Sequence, residues 1–224
     1  MNKTWLWWSS GKDSAWSLHS LRSDPEFEVT ALVTTINAVA DRVAMHAVRR
    51  TLLEAQGTAL NLPIRIVDLP WPCPNGAYEL AVERVVAEAI EQGVTHMAFG
   101  DLFLTDIRRY RESLLAGSAI KPVFPLWRRP TYELARKMLD GGIEAYLTCI
   151  DPKVLSPTFV GRRYDQALLD DLPQDVDHCG ENGEFHTFVT DGPGFSQSIP
   201  VRVGEKLERE GFWYADLLPE RNGT

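Results

Sequence analysis

The sequence predicts an α/β fold: a parallel five-stranded sheet flanked by helices, followed by a smaller, irregular α+β C-terminal lobe. Three observations carry this expectation. Over the first two thirds of the chain, short apolar runs alternate with amphipathic segments, as in βα units around a parallel sheet. From about Pro152 onward Gly, Pro and Asp become frequent and the apolar runs shorten into β-type stretches. The 224 residues, 44% hydrophobic and 24% charged, suffice to bury a core without disulfide or metal staples. The expected division is a sheet domain at 1–151 and a smaller substrate-binding lobe at 152–224.

The elements follow in order. Residues 5–8 read as the first strand and 14–21 as a helix after a sharp turn. Residues 29–34 read as the next strand. Residues 43–56 have helical periodicity and meet Gly57, a residue type that ends helices. Residues 64–69 form a strand, 70–76 a Pro-rich loop, and 77–92 a helix stopped by Gly93. A strand at 95–99, a helix at 107–115, an apolar run at 123–126, a helix at 132–139 and a strand at 145–150 complete the larger unit. Short β-type runs fall at 185–190, 198–203 and 212–217.

Charge and cysteine usage narrow the function. Lys and Arg number 23 and Asp and Glu 31, a net charge of −8. That balance argues against broad non-specific binding to nucleic acid or an anionic membrane, while leaving room for a local basic cleft. Cys73, Cys149 and Cys179 are odd in number and form no C-x-x-C, so no zinc ribbon or thioredoxin-like motif is present. Reduced thiols, and no apolar run near the ~20 residues of a membrane span, predict a cytoplasmic protein.

The most informative stretch is Ser9-Ser10-Gly11-Lys12-Asp13-Ser14, after the first strand and opening a helix. Such a turn offers backbone N–H groups and the positive end of a helix dipole to an anion. Gly11 lets the backbone approach a ligand, the serines supply hydroxyls, and Lys12 supplies a charge. It is not a Walker A loop, because Leu6 stands five positions before Gly11 and Asp13 follows the lysine. The pattern S-x-G-K-D-S instead resembles the PP-loop of the ATP pyrophosphatases, the superfamily of GMP synthetase, NAD synthetase and argininosuccinate synthetase. The resemblance implies a fold like the adenine nucleotide alpha-hydrolases. It also implies ATP cleavage between the α and β phosphates, adenylation of a substrate oxygen, and displacement of AMP by a nitrogen or sulfur nucleophile. The ATP-binding candidates are Ser9, Ser10, Gly11, Lys12, Asp13 and Ser14, with Thr34 and Gly100. Magnesium is the expected cofactor beside ATP, with Asp13 and Asp101 as candidate ligands, since hard oxygen donors suit that ion. Asp101 follows Gly100 at the carboxyl end of a predicted strand, where ligands of open α/β sheets sit.

Two further patterns carry chemistry. Arg42, His46, Arg49 and Arg50 fall at i, i+4, i+7 and i+8, one face of a helix. Such a stripe either meets an anionic substrate or is a solvated face. Glu181 and Glu184 flank Gly183 in a turn feeding a strand, presenting two carboxylates on a rigid edge. Paired carboxylates suit binding an ammonium ion, holding magnesium or deprotonating an amine. Alternation along the strand decides whether His186 faces a site. Trp5, Trp7, Trp8 and Trp16 read as core, whereas Trp71 and Trp127 lie in loops fit for stacking on a ligand.

Residues 100–111, from Gly100-Asp101-Leu102 to Arg109-Tyr110-Arg111, together with Pro125-Leu126-Trp127 and Gly180-Glu181-Asn182-Gly183-Glu184-Phe185-His186-Thr187, resemble the diphthine–ammonia ligase (diphthamide synthetase) family in its short bacterial- or archaeal-like form. The resemblance runs from residue 5 to about residue 200. It implies an ATP-dependent amide ligase that adenylates a carboxylate, releases pyrophosphate and transfers ammonia. Lys12, Asp13, Asp101 and Glu184 are then the catalytic candidates. His46, Arg49, Glu181, Asn182, Gly183, Glu184 and Thr187 are the substrate-binding ones. Asn182 stands where the family pattern has Gly, and His186 where it has Glu, which leaves the acceptor open. The implied partners are ammonium and a carboxylate acceptor, either protein-borne diphthine on elongation factor 2 or a small molecule such as a corrinoid precursor. A tRNA-modifying enzyme and a non-catalytic nucleotide-binding module are the alternatives; nucleic acid and membrane are not expected partners, and a homodimer is the default assembly.

Overall fold

The apolar run at the N-terminus forms β1 (Asn2–Trp7), and its alternation organises two cores. Trp5 faces one side of the sheet, with Val33 and Met97, against the stripe Val82, Val85, Val86 and Ala89. Leu6 faces the other, with Leu32 and Ala98. A strand buried on both faces is the hallmark of a parallel sheet covered by helices. The structure is a computed structural model and describes residues 1–43 and 45–220.

β2 (Phe27–Asn37) and β5 (His96–Ala98) pair in parallel with β1 on opposite edges, β4 (Ile64–Leu69) pairs with β2, and β6 (Lys121–Val123) with β5. The parallel core thus has five strands, as the sequence predicts, and their order is β4-β2-β1-β5-β6. A two-residue antiparallel strand, β3 (Arg42–Val43), pairs with the end of β2 beyond the end of β1. The helices are α1 (Lys12–Arg22), α2 (Arg50–Leu60), α3 (Asn75–Glu91), α4 (Thr105–Leu115) and α5 (Thr131–Asp140). The chain steps outward from β1 through β2 to β4, then returns to the other side of β1 through β5 to β6. The order therefore reverses between β1 and β5, and an open sheet of this kind leaves a crevice at their carboxyl ends.

Two expectations are corrected. Helix α2 begins at Arg50, not near residue 43. Bonds from the N–H of Val43 to the Val48 carbonyl and of Ala47 to the Val43 carbonyl close a tight loop there, with Met45 and Ala47 at positive φ. Arg42, His46, Arg49 and Arg50 therefore share no helix face. Nor does Gly57 end the helix: it lies inside α2, where a Cβ would come 2.8 Å from the Ile64 side chain. The cap is Asn61, in the left-handed conformation.

The second correction concerns β7 (Glu144–Ile150), expected in the parallel sheet. It pairs instead with β8 (Phe185–Asp191) and β10 (Phe212–Pro219), in an antiparallel sheet of order β8-β7-β10-β9 with β9 (Val201–Arg209). The fifth parallel strand is β6. Residue 151 thus falls between two neighbouring strands of the second sheet. A 3-10 turn (Pro157–Phe159) and α6 (Gln166–Asp171) fill the connection. Among the described residues no helix is long and apolar enough to cross a membrane.

The second sheet is joined to the first by shared core and by a buried polar knot. Leu147, Phe188 and Leu217 lie in the same apolar cluster as Leu6. Gln56 of α2, wholly buried, accepts from the Trp8 indole N–H at 2.8 Å and donates to the carbonyls of Ser10 at 3.0 Å and Val189 at 2.7 Å. One side chain thus satisfies three groups from two segments, the loop after β1 and strand β8, each costly to bury unpaired. Replacing it with leucine of similar volume is expected to destabilise the fold by about 3 kcal/mol, measured by urea unfolding; a loss below about 0.5 kcal/mol would show the knot to be dispensable.

Candidate active site

The loop between β1 and α1 is held by its surroundings. Ser10 sits at φ 68° with no exposed surface; its hydroxyl donates to the Ser9 carbonyl, and its own carbonyl accepts from Val189 N–H at 3.0 Å as well as from Gln56. Gly11 precedes the helix, and a Cβ there would lie 3.0 Å from His46 Cε1 and 3.1 Å from the Thr187 carbonyl. A Cβ would need those neighbours to give by a few tenths of an ångström, so glycine suits the close approach. Ser9 and Ser14 hydroxyls lie 3.2 Å apart, and the Lys12 N–H donates to Thr187 Oγ1 at 3.1 Å. β8 thus lies directly on the loop.

Beside the loop, at the switch point between β1 and β5, opens a cleft of about 320 Å³. Of the residues expected to bind ATP, Ser9, Lys12, Asp13, Ser14 and Gly100 line it. Ser10 and Gly11 form the loop behind them. Thr34 is turned inward, donating to the Trp8 carbonyl at 2.8 Å, and the next residue, Thr35, reaches the cleft instead.

Lys12 is buried, donating to Asp13 Oδ2 at 2.8 Å and to the Cys179 carbonyl, with its ammonium over the rings of Tyr164 and Phe185 at 5.5 and 5.3 Å. Burial pulls its pKa down, but the Asp13 carboxylate, with Asp177 behind it, outweighs this and holds the ammonium above the ordinary lysine value. Lys12 is therefore charged at neutral pH.

The two glutamates of the C-terminal turn part company. Glu181 enters the cleft, and its Oε1 accepts from the N–H groups of Leu102 at 2.7 Å and Phe103 at 3.3 Å. Glu184 points under the turn: it is 5% exposed, and its Oε1 accepts from Asp177 N–H at 3.1 Å and Asn182 Nδ2 at 2.9 Å. Asp177 in turn accepts from Cys179 and Glu181 N–H groups at 2.9 and 3.2 Å. Glu184, Asn182 and Gly183 thus shape the turn without lining the cleft, and of the two carboxylates expected on one rigid edge only Glu181 reaches it.

Asp101 does line the cleft, 3.8 Å from Arg111 Nε. Burial raises its pKa; Arg111 opposes the rise and Asp13 adds to it. Asp13 Oδ1 and Asp101 Oδ2 are buried without a hydrogen-bond partner. Burial also pushes the Glu181 carboxyl up to about 7; the Leu102 N–H opposes this, and Asp13 and Asp101 reinforce it. Three carboxylates thus repel one another across a small space. Among the described residues no three His, Cys, Asp or Glu side chains are grouped to hold a metal by themselves.

His46 and His186 both line the cleft, with ring centroids 4.6 Å apart, and His46 Nδ1 lies 3.0 Å from the Thr187 carbonyl. Burial lowers the His46 pKa to about 4 and that of His186 well below the usual value, so the pair is neutral at pH 7. Arg49 is elsewhere: with Arg42 it clamps Asp216 of β10, at 2.5 and 2.9 Å. Trp71 and Trp127 do not line the cleft. Tyr78, Phe99 and Arg111 do, although sequence reading gave none of them a role; they come from three separate elements, and only Arg111's place in a recognised segment hinted at it.

Residues 2–122 match the family model for the diphthamide synthase N-terminal domain and residues 130–217 that for the diphthamide synthase C-terminal domain. The chain belongs to the diphthamide synthase family. Curated relatives agree. Human diphthine–ammonia ligase (Homo sapiens) is 32% identical over 57% of this chain and 47% of its own length. The Danio rerio protein of that name is 26% identical over 77% of this chain and 67% of its own, and the Bos taurus one 32% identical over 62% and 51%. The chain therefore spans about half to two thirds of these relatives. Every cleft carboxylate lies inside the matched regions.

The raised Glu181 pKa has a consequence for stability in this family member. Folded Glu181 keeps its proton to a higher pH than in the unfolded chain, so stability falls as pH rises from about 4.5 to about 7 and stays lower above. Glu181→Gln keeps the acceptor oxygen and is expected to raise the melting temperature by roughly 2–4 °C at pH 8, with little change at pH 4.5. Equal gains at both pH values would contradict the shift.

Proposed function

We propose that this protein is an ATP-dependent amide ligase of the diphthine–ammonia ligase type: it adenylates a carboxylate, releasing pyrophosphate, and transfers ammonia to the activated carbon. The observation that supports this most is the cleft at the β1–β5 switch point, where an anion-binding loop, a buried lysine and three carboxylates meet. Family membership supports the same reading.

The loop and the amino end of α1 receive the β and γ phosphates of the substrate nucleotide, with Ser9 on the cleft wall beside them. Lys12, fixed and charged in a water-poor setting, stabilises the negative charge that builds as the bond between the α and β phosphates breaks. The orphaned oxygens of Asp13 and Asp101 are hard donors of the number magnesium takes when it also binds phosphates. When bound, that ion neutralises phosphate charge. The acceptor carboxylate attacks the α phosphorus, forming an acyl adenylate. As ammonia adds to the acyl carbon its nitrogen must shed a proton, and Glu181, poised near neutrality, accepts it while AMP departs with the bonding pair. Glu184 acts from beneath, holding the turn that carries Glu181. Protein-borne diphthine and ammonium are the substrates, and three free thiols are in keeping with a cytoplasmic setting.

The test supplies α-labelled ATP, magnesium, ammonium and elongation factor 2 bearing diphthine. AMP, pyrophosphate and amidated factor are expected; ADP and phosphate would refute the reading. Lys12→Ala is expected to lower AMP formation at least about 100-fold, with the melting temperature followed to separate chemistry from folding.

A further inference from the structure

The cleft that the ligase reading requires to hold a substrate anion is acidic, with Asp13, Asp101 and Glu181 on its walls. Among the described residues lining it, only Lys12 and Arg111 carry positive charge, since the two histidines are neutral. Lys12 is already held by Asp13 and the Cys179 carbonyl. Arg111 is held differently. Its guanidinium lies 5.8 Å from the Trp7 ring centre and 5.3 Å from that of Phe99, and Nη1 donates to Tyr78 Oη at 2.8 Å. Its Nε is buried with no acceptor: Asp101 Oδ2, at 3.8 Å, is too far for a hydrogen bond and is itself unpartnered. A positioned guanidinium with an unmet donor inside a cleft is a binding element awaiting an oxygen anion.

We propose that Arg111, oriented by Tyr78 and by the Trp7–Phe99 floor, binds the carboxylate of the acceptor that is to be amidated. Position favours a carboxylate over the nucleotide's phosphates. Arg111 comes from α4, which follows β5 in the chain, and lies over both Trp7 and Phe99, whereas the anion-binding loop opens α1. Charge favours it too. A carboxylate brings one negative charge and two coplanar oxygens that a guanidinium fork matches. Tyr78 stacks on Tyr110 with ring centres 6.3 Å apart, which holds the hydroxyl that orients the fork.

This proposal rests on the ligase reading, and the experiment separates the two. AMP formation is measured with elongation factor 2 bearing diphthine as the varied substrate, for wild type, Arg111→Lys and Tyr78→Phe, and ATP affinity is measured separately by equilibrium titration without acceptor. Arg111→Lys is expected to raise the acceptor KM about tenfold or more while ATP affinity stays within twofold. Tyr78→Phe, which keeps the ring, is expected to raise the same KM by a smaller factor and covers the case in which the arginine variant does not fold. An unchanged acceptor KM in both variants, or a matching loss of ATP affinity, overturns the role of Arg111 and leaves the ligase reading standing. Wild type that makes no AMP with this acceptor overturns both.

Discussion

The site depends on one close approach: strand β8 laid against the loop that opens α1. The Ser10 carbonyl, in a left-handed turn, is held from one side by the Val189 N–H and from another by Gln56, while Thr187 receives the next amide of the loop. A Cβ at Gly11 would press on the Thr187 carbonyl and the His46 ring. A loop held from both sides pays its ordering cost at folding rather than at binding. The same contact brings the C-terminal turn over the switch point of the parallel sheet, so neither lobe alone contains the cleft.

Electrostatics follow from that geometry. A protein of net charge −8 here gathers positive elements at one place: a helix end, a buried lysine and a stacked arginine. Between them stand three carboxylates whose burial, reinforced by nearby negative charge, raises their proton affinity, most clearly at Glu181. The cleft thus combines groups that hold negative charge with one group able to take a proton near neutral pH. The neutral His46–His186 pair adds bulk and polarity beside them without adding charge.

Much of this was legible in the sequence, for a physical reason in each case. The loop was readable because its chemistry is contiguous and sits at a strand-to-helix turn, and the five-stranded parallel core because a buried strand needs an unbroken apolar run. Such a run does not say which sheet it joins, which is why β7 was misplaced. Helical spacing of Arg42, His46, Arg49 and Arg50 was real, but short-range bonds around Val43 and the pull of Asp216 won over it. Glu181 and Glu184 looked alike in sequence; positive φ at Gly180 and Gly183 turns one into the cleft and the other under it. Thr34 and Thr35 differ only by strand alternation, and a one-residue choice reverses the face. Tyr78, Phe99 and Arg111 converge from distant segments, which no local pattern records.

The most direct measurement is a crystal structure of the protein with a non-hydrolysable ATP analogue and magnesium. The account requires the terminal phosphates to lie in the Ser9–Ser14 loop with β8 still seated on it, and the α phosphorus to face the cleft that Glu181 and Arg111 share. A nucleotide bound elsewhere, or a loop that parts from β8 to admit it, would contradict the account.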